Sequence, residues 1–100
     1  MVIWSQPAIS DLRSIHDFIA HNSAFYAKKV VHDIREKTNV LEQIPRTGRK
    51  VPEINDDTIR ELSLYSYRII YQINEEHVFV LAVVHKRRDL KAADIPQSES

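Results

Sequence analysis

The sequence predicts an α+β domain in which a helical hairpin lies on one face of a sheet. Three observations carry this. Apolar residues recur at spacings of three and four through two successive segments before residue 45. Two apolar strands joined by a short polar turn occupy 67–73 and 78–84. The helical segments precede a run of strands, which suggests a layered α+β arrangement.

Val2-Ile3-Trp4 is a short apolar first strand. Ser5-Gln6-Pro7 is a helix-start signal, with Ser5 or Gln6 as cap and Pro7 in the first turn. Ala8, Leu12, Ile15 and Ile19 then form one helical stripe. His21-Asn22-Ser23 breaks the pattern, and Ser23 is a good N-cap for a second helix. Ala27, Val30, Val31, Ile34, Thr38 and Leu41 make the inner face of that helix. It must stop near Ile44, because Pro45 disfavours helical geometry in the residue before it.

Pro45 to Pro52 reads as a loop, and it holds Gly48, the one glycine of the chain. A lone glycine there implies either a positive φ or a close backbone approach. Thr58 to Leu64 is a strand of weaker pattern. Tyr67 to Ile73, a turn at Asn74-Glu75-Glu76 and Val78 to Val84 make a hairpin. The second of these strands is apolar throughout, with Val78, Val80, Ala82 and Val84 expected on one face and Phe79, Leu81 and Val83 on the other. Two helices cover one of these sets, so a partner protein is expected over the other. The order is β-α-α-β-β-β, with room for a short terminal helix over 89–95.

The 100 residues suit one domain, expected over 1–95, with 96–100 as a frayed tail. The chain has no cysteine, so disulfide, thiol and cysteine–zinc chemistry are excluded. Met1-Val2-Ile3-Trp4 lacks the features of a signal peptide. No apolar run approaches the roughly 18 residues of a membrane span. A cytoplasmic location with no membrane association is the expectation. His16, His21, His32 and His77 show no metal-ligand spacing, and there is no Gly-rich phosphate loop or nucleophile elbow. Neither a metal nor a cofactor is expected. The formal net charge is zero, from 14 Lys+Arg against 14 Asp+Glu, which argues mildly against a nucleic-acid binder. Its distribution is patchier, with cations at Arg46 to Lys50 and Lys86 to Arg88.

Particular stretches, in order, carry a family likeness. They are Trp4-Ser5 with Ala8 and Asp11-Leu12, Ile15 to Ile19, Leu41 to Pro45 with Gly48-Arg49, and Val51-Pro52-Glu53. Arg60-Glu61-Leu62, Tyr67-Arg68-Ile69-Ile70-Tyr71 and Val83 to Leu90 complete them. With these the chain resembles the RelE/ParE-superfamily toxins of type II toxin–antitoxin modules. The resemblance implies two helices on a small, twisted, mainly antiparallel sheet. It also implies a cognate antitoxin that wraps the toxin as a hetero-oligomer.

Two chemistries exist in that superfamily. RelE-like members cleave mRNA in the ribosome, whereas ParE-like members inhibit DNA gyrase by binding. RelE-like nucleases commonly carry lysines on the strand before the Tyr-Arg strand, and a tyrosine in the C-terminal segment. Those lysine positions fall here near Ile59 and Glu61, and no tyrosine follows Tyr71. The resemblance therefore lies closer to the ParE branch, with no catalytic residue. The partner-binding residues would be Arg60, Tyr65, Arg68, His85, Lys86, Arg87 and Arg88. Two alternatives stay open. One is a metal-free, ribosome-dependent endoribonuclease using Arg68, Arg87, His85 and Glu53, with His85 able to titrate near neutral pH. The other is an inactive toxin kept as an antitoxin-binding module. For Arg68 an ordinary role also remains, as a solvent-side arginine paired with Glu61 or Glu75.

Overall fold

Ser5 begins the first helix as its sequence predicts. In the computed structural model, which describes residues 1–91, 94 and 95, the Ser5 hydroxyl accepts the Ala8 N–H at 3.2 Å. After strand β1 (Val2–Trp4), helix α1 runs Gln6–Ala20 and helix α2 Ala24–Lys37. The Ser23 hydroxyl caps α2 by accepting the Tyr26 N–H at 3.1 Å. The second helix does not reach Ile44 in α form. It tightens into a 3₁₀ turn, Thr38–Glu42, where the Thr38 hydroxyl donates back to the Arg35 carbonyl at 2.7 Å. Such a side-chain bond competes with the helical ladder and favours the tighter turn. Thr38 and Leu41 stay on the buried face regardless.

The expected loop 45–52 contains a further strand. Strands β2 (Arg49–Lys50), β3 (Ile59–Leu64), β4 (Tyr67–Ile73) and β5 (Val78–His85) join β1 in one sheet of order β1-β5-β4-β3-β2. Only β1 on β5 is parallel; the other pairings are antiparallel. Two residues are too short to leave a strand pattern in sequence, so β2 was invisible there.

Gly48 holds the turn into β2 by close approach, not by a positive φ. Its φ is −76° and ψ 166°, which any residue can adopt. A Cβ at this position would lie 2.5 Å from the Glu61 carbonyl oxygen and 2.5 Å from the Tyr71 hydroxyl. The Gly48 N–H donates to that hydroxyl at 2.9 Å, and the hydroxyl donates to the Pro45 carbonyl at 2.8 Å. Arg60 Nη1 donates to the Gly48 carbonyl at 2.8 Å.

The face pattern expected of β5 holds only for its first half. Ile70 pairs with Ala82 and Tyr71 with Val80, so Leu81 is an extra residue in a β-bulge. One extra residue resets the alternation. Val78, Val80 and Val83 therefore face the helices, beside Ala8, Leu12, Val30, Ile34 and Leu41. Leu81, Ala82 and Val84 face away, with Ile70.

That second face is not left for a partner. Val51, Ile54, Leu90 and Ile95 close over it, so the chain supplies its own cover from the loop after β2 and from its C-terminal segment. Leu90 was legible as apolar, but its fold-back depends on contacts distant in sequence. The expected helix over 89–95 falls partly outside the described residues, and the expected tail at 96–100 wholly so. Among the described residues, no helix is long and apolar enough to cross a membrane.

Closure of the second face from within the chain makes a measurable difference between two large apolar positions. Leu90→Ala, at a site 5% exposed, should lower unfolding free energy by about 2–5 kcal/mol. Phe25→Ala, at a site 79% exposed, should stay within about 0.5 kcal/mol. Urea denaturation of the two variants compares them directly. Equal and negligible effects would contradict the packing described.

Candidate functional site

Arg68 on β4 points to the second face and is 5% exposed. All five of its N–H donors are used. Nε donates to Glu61 Oε1 at 3.1 Å, and Nη2 to the same oxygen at 2.5 Å. Nη2 and Nη1 grip Glu53 through Oε1 and Oε2, each at 2.8 Å. The remaining Nη1 donor reaches the Arg88 carbonyl at 3.0 Å. The guanidinium is saturated. Arg68 is thus neither at the solvent nor paired with Glu75.

Glu53 carries a second duty. Its Oε2 also accepts the Leu90 N–H at 3.1 Å, which ties down the C-terminal segment. The Arg68 guanidinium beside it holds the Glu53 carboxyl down from the ordinary 4.5 to about 2. Arg68 itself is held still more firmly protonated, chiefly by Glu53. Arg49 approaches the far oxygen of Glu61 at 3.3 Å. An open cleft of about 640 Å³ lies over this cluster, rimmed by Arg49, Lys86 and Arg88 with Ser63 and Asp89.

The remaining sequence-predicted residues lie elsewhere. His85 ends β5 and, by strand alternation, faces the helix side with its partner Tyr67, whose ring it meets edge-on at 6.1 Å. Its Nδ1 accepts the Arg87 N–H at 3.2 Å. His85 and Glu53 are therefore on opposite faces of the sheet. The four groups Arg68, Arg87, His85 and Glu53 are not brought together as one nuclease site. Arg60 is engaged internally, with Nη2 donating to Asp57 Oδ1 at 2.9 Å besides its bond to Gly48. Lys86 and Arg87 are exposed at the end of β5, and the Arg88 side chain is loosely paired with Asp94 at 3.9 Å.

Tyr65 sits in the tight β3–β4 turn at φ 55°, a left-handed conformation costly for an aromatic residue. Its hydroxyl donates to Asp33 on α2, which also receives Lys29 Nζ at 3.1 Å. That bond fastens the hairpin tip to the helical layer, and Tyr65 as a whole stays 41% exposed.

Sequence reasoning missed Asp11. Its Oδ2 accepts the Val83 N–H at 2.9 Å on the outer edge of β5. Burial pushes its carboxyl up, partly offset by this bond. Asp11 lay within a stretch that carried the family likeness, but nothing local marked it as a cap for a strand edge.

A helical hairpin packed on a five-stranded mixed sheet, with its central arginine paired internally and a basic strand end exposed, defines a small α+β toxin-like fold. A family model described as the ParE toxin of the type II toxin–antitoxin system, parDE, matches residues 2–90, and the chain belongs to that family. Among solved structures it is similar to one titled "Chromosomal ParDE TA system from P. aeruginosa". The TM-score is 0.71 at 23% identity, covering 84% of this chain and 92% of that one. A comparison with curated proteins finds no match.

The Glu53–Arg68 pair makes stability depend on acid in a defined direction. A carboxyl depressed in the folded state contributes stability that is present above its unfolded value near 4.5 and is lost as pH falls toward about 2. Unfolding free energy should therefore drop between pH 5 and 2, with this group adding up to about 1.4 kcal/mol per pH unit. Glu53→Gln should flatten that part of the profile. Chemical denaturation at several pH values checks it, and an unchanged slope in the variant would count against the pairing.

Proposed function

We propose that this ParE-family toxin acts by binding DNA gyrase, without catalysis, and is neutralised by a cognate antitoxin. The observation that supports binding over cleavage is the saturation of Arg68. A phosphorane in a metal-free ribonuclease needs a free cation and a base of suitable pKa. Arg68 has no donor left, and Glu53 is held as a poor base. His85 lies on the opposite sheet face from both. The exposed cations Lys86, Arg87 and Arg88 at the end of β5 are the residues that would carry most of the attraction to the target, and His85 beside them adds a neutral contact. Arg60 and Arg68 hold the toxin's own loops, and Tyr65 offers an exposed ring at the hairpin tip. The working unit is the single domain over 1–95, acting in the cytoplasm where gyrase and the antitoxin are found.

Binding and catalysis separate cleanly by mutation. The purified protein should inhibit gyrase supercoiling and leave ribosome-bound mRNA intact. His85→Ala should keep inhibition broadly unchanged, because no proton transfer is involved. Charge reversal at Arg87 and Arg88 should weaken inhibition, most at low salt, through lost long-range attraction. Cleavage of programmed ribosomes that falls by about 10²–10⁴ in His85→Ala or Glu53→Ala would replace binding with nuclease chemistry.

A further inference from the structure

The backbone under the three exposed cations is tied at each step. The Lys86 N–H donates to the Ser66 carbonyl in the β3–β4 turn at 2.8 Å. The Arg87 N–H donates to His85 Nδ1 at 3.2 Å, and the Arg88 N–H to the His85 carbonyl at 3.1 Å. The next two ties come from the buried charge cluster. Arg68 Nη1 donates to the Arg88 carbonyl at 3.0 Å, and Glu53 Oε2 accepts the Leu90 N–H at 3.1 Å. Along this path Lys86 and Arg88 line the cleft above the cluster, whereas Arg87 is not among its lining residues.

These contacts join the interior to the exposed charges. Long side chains on a free loop lose backbone and rotamer freedom when they bind, at a cost in affinity. A backbone fixed beforehand has already lost its share of that freedom. Glu53 is the member of the cluster that reaches both ties. It grips Arg68 through two bonds of 2.8 Å, and it holds Leu90 itself. Its side chain is 23% exposed, against 1% for Glu61, so water can enter the place it leaves when it is replaced. Glu53 can therefore be removed with less risk to the fold than Glu61, whose loss would strand a charge out of reach of water.

We infer that Glu53 is a positioning residue for target recognition: without touching the target, it fixes the segment that carries Lys86, Arg87 and Arg88. This rests on the proposed binding function and deepens it, because the attraction exerted by the cations then depends on a carboxylate beneath them. Glu53 acts at two points, directly on the Leu90 N–H and through Arg68 on the Arg88 carbonyl. Its loss frees the chain past Arg87 while the three cations keep their charge.

The test uses the full chain and reads gyrase inhibition together with amide hydrogen exchange. In Glu53→Ala the Leu90 amide should exchange about tenfold faster, since it loses its acceptor. Inhibition should weaken about threefold to tenfold, the cost of ordering the tip at the moment of binding. Val30→Ala lies in the helix-side core at a site 2% exposed, so it weakens the fold without touching the tip. While it stays folded by circular dichroism, it should keep both readouts near those of the unmutated protein. Arg87→Glu completes a double-mutant cycle, and its effect on inhibition should shrink about twofold or more in the Glu53→Ala background. Should Glu53→Ala not fold, Glu53→Gln, which keeps one acceptor oxygen, should give the same changes at smaller size. The inference is overturned by an unchanged Leu90 amide, by full inhibition from a folded Glu53 variant, by an equal loss in Val30→Ala, or by strictly additive effects in the cycle. If the unmutated protein leaves gyrase uninhibited, the proposed target falls, and the exchange result still decides whether Glu53 positions the tip, because it involves no target.

Discussion

The buried guanidinium of Arg68 is the constraint on which the second half of this molecule depends. A charge taken out of water is costly unless its partners satisfy it completely. Here two carboxylates and a carbonyl use every donor. Those partners come from β3, from the loop after β2 and from the segment after β5. Meeting the needs of one side chain therefore fixes three pieces of chain against the sheet. Glu53 then passes the constraint on, since its spare lone pair anchors Leu90. Replacement of the whole network by apolar residues could be as stable, but the removal of one member would strand a buried charge.

The same saturation shapes what the protein can do. Cations buried in carboxylate pairs hold structure and have little left for a ligand. Lys86 and Arg87, which enter no such pair, stand just past the end of the most buried strand, and their side chains reach water.

The bulge at Leu81 has consequences out of proportion to its size. It turns Leu81 and Ala82 together to the second face and returns Val83 to the helix side. It also moves the Val83 N–H to the outer edge, where Asp11 of α1 accepts it. Without that extra residue, the alternation would place different side chains against α1 and different groups along the edge. Gly48 acts in the same economical way: its missing Cβ lets the backbone touch Tyr71 and Glu61, which brings β2 onto the sheet.

By itself the sequence determined the helices, their caps at Ser5 and Ser23, the β4–β5 hairpin and the buried character of β5. These are local properties: periodicity, capping chemistry and apolar runs act over a few residues. It also marked the residues of family likeness, including Arg68, Glu53 and the basic end of β5. What it did not determine was which of them meet. The pairing of Arg68 with Glu53 spans fifteen positions, and Glu53 reaches Leu90 across thirty-seven. The separation of His85 from Glu53 follows from strand phase, and the changed facing of Ala82 to Val84 from a single unpaired residue. Register and the return of distant segments are settled only when the whole sheet closes, because burial and hydrogen-bond satisfaction are decided by the assembled neighbours rather than by the residue itself.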